Sequence, residues 1–114
     1  MPEPDVLELT RRLKRTPNIN TALHIMQWEL GDLAKSYIYT TWHSDPLQNS
    51  AWLAEARKAL GSLLFQAEVI AQLLGTTSKD AFNFGVMEVE DRIVEVEKGH
   101  AGRFRCYKGE GTNG

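Results

Sequence analysis

Glu29 and Asp32 stand three residues apart in Trp28-Glu29-Leu30-Gly31-Asp32-Leu33, inside a long stretch whose apolar residues recur at helical spacing. Positions i and i+3 share a helix face, so the two carboxylates point the same way. Like charges that close repel one another and need a counter-charge, water or a cation. A divalent metal bound through carboxylate oxygens is the sharpest of these readings. A solvated helix face supported by Lys35 is, on spacing alone, the more frequent one.

Other chemistry is thinly represented. His24, His43 and His100 are far apart with no i, i+4 pairing, which speaks against a zinc site. Cys106 is the only cysteine, so no intramolecular disulfide or multi-cysteine metal site can form. It stands beside Tyr107 in a Gly-rich tail, and nothing around it marks a nucleophile. Glu88, Glu90, Asp91, Glu95 and Glu97 form an acidic face that reads as solvated surface. Trp28, Trp42 and Trp52 read as core or subunit-interface residues before base-stacking platforms.

The elements that must position the acidic pair read as helices throughout. Asp5 can cap a short helix over 5–15, with Val6, Leu9 and Leu13 at helical spacing, and Thr16-Pro17-Asn18 breaks it. Asn18 or Asn20 can cap a second helix running to about Trp42, whose inward stripe reads Ala22/Leu23, Met26, Leu30, Leu33/Ala34, Tyr37 and Thr41. His43-Ser44-Asp45-Pro46 stops it, with a loop to about Asn49. A third helix over 50–74 turns Leu53, Ala56, Leu60, Leu63/Leu64, Ala67, Ile70/Ala71 and Leu74 inward, and Gly75 stands where a C-terminal cap belongs. Ser78 caps a fourth helix to about Lys98. Its valines alternate with glutamates over 86–97 as a strand would, but Phe82, Val86, Val89, Ile93 and Val96 share one helical face. The expectation is an all-α, up-and-down antiparallel helical bundle, with a domain over 1–98 and a Gly-rich tail over 99–114.

Composition bounds the rest. At 114 residues the chain has room for one core. Thirteen basic against fifteen acidic residues give a net charge of −2, which offers no electrostatic case for a nucleic-acid partner. The apolar stretch over 60–74 is interrupted by Gly61, Ser62, Gln66, Glu68 and Gln72, which argues against a membrane span. No basic start followed by an apolar run marks a signal peptide, so the expected location is cytoplasmic. Ile25, Trp28 and Ile38 on the second helix, and Phe65 and Val69 on the third, lie off the main stripes. Helices apolar on more than one side bury a second face against another subunit, so a homo-oligomer (dimer or tetramer) is expected.

Asn18-Ile19-Asn20 leading into a helix that carries Trp28-Glu29-Leu30-Gly31-Asp32-Leu33 resembles the first acidic helix of the MazG-like all-α nucleotide pyrophosphohydrolases. The aromatic residues Tyr37, Tyr39 and Trp42 closing that helix are similar to theirs. So is Ala59-Leu60-Gly61-Ser62-Leu63-Leu64-Phe65-Gln66, which stands where the family has Glu-Leu-Gly-Asp-Val-Leu, with a following apolar run that ends in Leu-Leu-Gly. The likeness covers residues 17–98. It implies a helical bundle assembled as an oligomer and cleavage of a nucleoside triphosphate between its α- and β-phosphates, giving NMP and pyrophosphate. It also implies that four carboxylates, one pair on each of two antiparallel helices, hold Mg²⁺, or Mn²⁺ in its place.

Half of that pattern is present. Glu29 and Asp32 match the first pair and are the expected catalytic and metal-holding residues, while Ala59 and Ser62 occupy the second pair's positions. Glu55, two helical turns before Ser62 and ~10 Å away along the axis, could reach a shifted metal and is the third expected ligand. Lys58 shares its face and could meet phosphate. The resemblance puts Trp42 near the nucleotide base. From the last helix only Arg92, with Asn83 earlier, is available as a basic or amide group. The alternative is a catalytically lapsed nucleotide- or metal-binding oligomer, or a protein-interaction module.

Overall fold

The computed structural model describes residues 5–42 and 45–99, and every element among them is helical. Four helices follow in order: α1 Val6–Arg12, α2 Ile19–Trp42, α3 Pro46–Leu73 and α4 Ser78–Glu97. By its internal packing the chain divides into two compact units, 1–78 and 79–114. His43, His100, Cys106 and the tail from residue 100 lie outside the described residues, as do the expectations attached to them.

Local chemistry explains each boundary. Asp5 Oδ1 accepts from the backbone N–H groups of Leu7 and Glu8, both at 3.2 Å, and starts α1. The helix ends at Arg12, earlier than the periodicity predicts, because Lys14 adopts the left-handed φ of 64° that leads the chain away. Asn18, the first of the two candidate caps, accepts from Thr21 N–H at 3.0 Å. The stop at 43–46 also proves to be a start. Asp45 caps α3 through Leu47 N–H at 3.0 Å, and Pro46 fills the first helical position, where its missing N–H costs nothing. So α3 begins four residues before the expected Ser50. At its other end Gly75 takes φ 84°, with Thr76 N–H on Ala71 O (2.9 Å) and Gly75 N–H on Gln72 O (3.0 Å). This pair of bonds closes the helix as a Schellman motif. The region 86–97 is helix, since no turn interrupts the pattern that begins at Ser78.

α2 and α3 form a long antiparallel hairpin, seen in the pairing of Tyr39 with Trp52 at one end and Ala22 with Val69 at the other. α1 closes that second end. Val6, Ala22 and Val69 form the buried cluster, with Leu7, Phe65 and Ile70 packed around it. Phe65 and Val69, read from sequence as facing another subunit, instead hold α1.

The inward rows are also rotated from the expected stripes. On α2 the buried residues are Ala22 and Ser36, and on α3 they are Ala56, Ala59, Val69 and Ala71. Leu23, Leu30 and Tyr37 on α2, with Leu53, Leu60 and Leu64 on α3 and Leu74 at its C-terminal cap, are exposed. A two-helix pair buries only the flank it presents to its neighbour, and small residues fill this contact. In α4 no residue is buried, so the expected face of Phe82, Val86, Val89, Ile93 and Val96 is open.

Glu68 ties the end of α3 to the start of α4. Its carboxylate accepts from Ser78 N–H and from Gln72 Nε2, both at 2.7 Å, serving one of the orphan N–H groups of the next helix. These bonds, first from Ser78 and then from Gln72, hold the carboxyl below its ordinary value against a smaller opposing effect of burial. A depressed folded-state pKa contributes stability above the unfolded-state value, which is lost as pH falls through the folded one. Glu68→Ala is expected to cost roughly 1–3 kcal/mol at neutral pH. Urea melts across the acid range check this: the variant's stability should fall less steeply below the ordinary carboxylate pKa than the wild type's. Parallel pH profiles would exclude the role.

Candidate functional site

Glu29 belongs to the row of α2 that faces α3. It lies seven residues after buried Ala22 and seven before buried Ser36, two turns either way on one face. Asp32 lies on the flank of that row. Because the residues opposite are small, the two carboxylates meet a hollow where packed side chains would otherwise touch. The result is an open cleft of about 310 Å³ lined on the α2 side by Glu29, Asp32, Lys35 and Ser36. Trp52, Glu55, Lys58, Ala59 and Ser62 line the α3 side.

The sequence therefore brings together Glu29, Asp32, Glu55 and Lys58, with Ala59 and Ser62 across from the acidic pair. Glu55 is held by Lys58, Nζ to Oε2 3.2 Å, one turn along the same helix. Ala59 is 4% exposed and Glu29 and Asp32 are half-buried. Among the described residues no three His, Cys, Asp or Glu side chains gather closely enough to hold a metal together. Glu55 thus shares the cleft without completing a three-carboxylate cluster. The donor set fits a Mg²⁺ that arrives with phosphate oxygens and water of its own, since such ions take only one or two protein carboxylates. It does not make an all-protein cage.

Trp42 stands elsewhere. It is 72% exposed and absent from the cleft lining, with its ring centroid 5.4 Å from that of Tyr39. Tyr39 in turn meets Trp52 edge-on at 4.6 Å, so Trp52 is the aromatic wall of the cleft. Its signal was readable: Trp52 lies seven residues before Ala59, on the same helical row. Lys35, taken as a surface support for the acidic pair, is a cleft residue as well. Arg92 pairs with Glu88 at 3.5 Å along α4.

A second hollow, about 440 Å³, adjoins the first and shares Glu29, Asp32 and Ser62 with it. Its other walls are Arg15, Trp28, Ile25, Phe65 and Gln66, with Leu13. The acidic pair thus stands between a compartment with two lysines and a compartment with two aromatic rings, an amide and a guanidinium. Comparison of the chain with protein-family profiles, with characterised proteins and with solved structures yields no match. Among the described residues no single helix is long and apolar enough to cross a membrane.

Proposed function

We propose that the chain is a divergent Mg²⁺-dependent nucleoside triphosphate pyrophosphohydrolase of the MazG-like type, with slow turnover. One observation carries this reading: Glu29 and Asp32 on α2 line a single cleft together with Ala59 and Ser62 on α3. That is the relation between the two motif positions that the sequence resemblance requires. Glu29 and Asp32 would hold the cation, which when bound offsets phosphate charge and activates water. Lys58 and Lys35 supply the positive charge that a polyphosphate needs on the cleft's outer walls. In the adjoining hollow Trp28 and Phe65 offer faces to a base, and Gln66 offers an amide with both donor and acceptor.

The second reading is a lapsed enzyme that binds nucleotide without turnover, and buried Ala59 is the observation in its favour. Pyrophosphate release assayed over ordinary and deaminated nucleoside triphosphates separates the two. Slow release that requires Mg²⁺ or Mn²⁺ and disappears in Glu29→Gln is the expected result. Calorimetric binding of a nucleotide with no release would select the lapsed binder. Robust turnover unaffected by Glu29→Gln would put the site elsewhere.

A further inference from the structure

The apolar stripe of α4 is open along its length. Phe82, Val86, Val89, Ile93 and Val96 recur on it at three- and four-residue spacing, and all of them are exposed. Gly85 leaves a shallow hollow in the stripe, about 300 Å³, lined by Phe82, Val86, Val89 and Glu90. Glycine weakens a helix interior, and no crowding asks for it here, since a Cβ at 85 would meet no atom within 4 Å. What the missing side chain does provide is room for an incoming one. The stripe also has a charged border. From Glu88 to Glu97 five residues are acidic and one, Arg92, is basic. Arg92 pairs with Glu88 at 3.5 Å on one edge. Glu90 and Glu97, each one residue and about 100° beyond a valine of the stripe, run along the other.

An apolar stripe with an acidic edge fits a segment that interleaves aromatic and basic residues. The chain supplies one just beyond α4: Arg103-Phe104-Arg105-Cys106-Tyr107-Lys108 carries three basic and two aromatic residues and no acidic one. Gly99, at φ 87° and with its N–H on Val96 O at 2.9 Å, turns the chain off the helix axis ahead of it. We propose that residues 103–108 fold back along α4, seating an aromatic ring in the hollow at Gly85 and basic side chains beside Glu90 and Glu97. The reach is sufficient. Phe104 and Tyr107 stand five and eight residues past Gly99, up to ~17 and ~27 Å of extended chain. The helix from Gly99 back to Gly85 is ~21 Å long. Tethering holds the segment at an effective concentration on the order of millimolar, so even a modest contact forms ahead of one with a free partner. The docked segment would cover apolar surface that α4 cannot bury by itself, whether or not the cleft between α2 and α3 turns over a nucleotide.

Hydroxyl-radical footprinting of the full chain, with Phe82 read against Phe84, is the test. On the helix itself the two rings are almost equally exposed, 69% and 70%, but only Phe82 lies on the stripe, and Phe84 points to the other side. In the wild type Phe82 should react at least ~3-fold more slowly than Phe84, as the burial of most of an aromatic ring requires, and the ratio should not change on dilution. Arg103→Glu, Arg105→Glu and Lys108→Glu together should bring the two rates level. So should Phe104→Ser with Tyr107→Ser, which keeps the charge and removes the rings. Circular dichroism verifies that both variants stay helical. High salt, which screens the ion pairs, should move the wild type in the same direction without any substitution. Equal rates in the wild type would overturn the proposal. Protection of Phe82 that fades on dilution would overturn it by placing the cover on a second copy. Protection that survives salt and both sets of changes would overturn it by placing the cover on another part of the chain.

Discussion

Ala59→Glu combined with Ser62→Asp is expected to make the stability of the fold depend strongly on divalent cations. Ala59 is 4% exposed and stands in the row of α3 that faces Glu29. A Glu there extends into the 310 Å³ cleft toward Glu29 and Asp32, and Asp at position 62 completes the second motif pair beside Glu55. Without metal, five acidic groups lining one hollow, Glu55 among them, repel, and the variant should lose about 2–3 kcal/mol relative to the wild type. Saturating Mg²⁺ or Mn²⁺ should return it, since a ligand at a hundred times its dissociation constant adds ~2.7 kcal/mol to a folded state that alone binds it. Pyrophosphate release from at least one nucleoside triphosphate should rise by ~100-fold, the scale on which one well-aimed electrostatic group acts on a charged transition state. Thermal melts with and without metal, followed by the release assay, check both parts. A folded variant whose melting ignores metal and which turns nothing over would remove the structural basis for a nucleotide site between α2 and α3.

The helices were legible in this sequence because their ends are written in side chains: Asp5, Asn18 and Gly75 act where their chemistry says they should. Asp45-Pro46 was misread because a proline that ends one helix is also the best first residue of the next. The inward faces were harder. Periodicity reports that Leu23, Leu30 and Tyr37 share a side of α2, but not whether the chain itself or something else covers that side. In the hairpin, small Ala22, Ser36, Ala56 and Ala59 make the contact, and the large side chains are left outside it. Glu29 and Asp32 were legible as a pair because i, i+3 spacing is local. Trp52 shares a helical row with Ala59, yet its place in the cleft, like that of Lys35, depends on how α3 lies against α2. No single-helix pattern encodes that register. Trp42 was favoured by the resemblance, yet one helical end separates it from the wall that Trp52 provides.

Glu29→Leu is expected to stabilise the fold while removing its ligand chemistry. Ala22, Glu29 and Ser36 form one row at seven-residue spacing, and its other two members are 2% and 3% exposed. A carboxylate at the middle of a row facing a packed neighbour is a local conflict between helix pattern and composition, and such conflicts mark functional positions. Leucine at 29 would fill the cleft against Ala59 and Ser62, bringing apolar surface where a carboxylate now stands. Burial of most of one leucine gives a gain of about 1–2 kcal/mol, in the direction expected when a functional polar group is replaced by a packing one. Asp32→Leu, at the flank of the same row, should gain less because its side chain meets less of α3. Chemical denaturation of the two variants beside the wild type measures this, with nucleotide binding by calorimetry lost in Glu29→Leu. If leucine at 29 instead lowers stability, the carboxylate is holding the hairpin together. The cleft would then be a structural seam and no longer a candidate site.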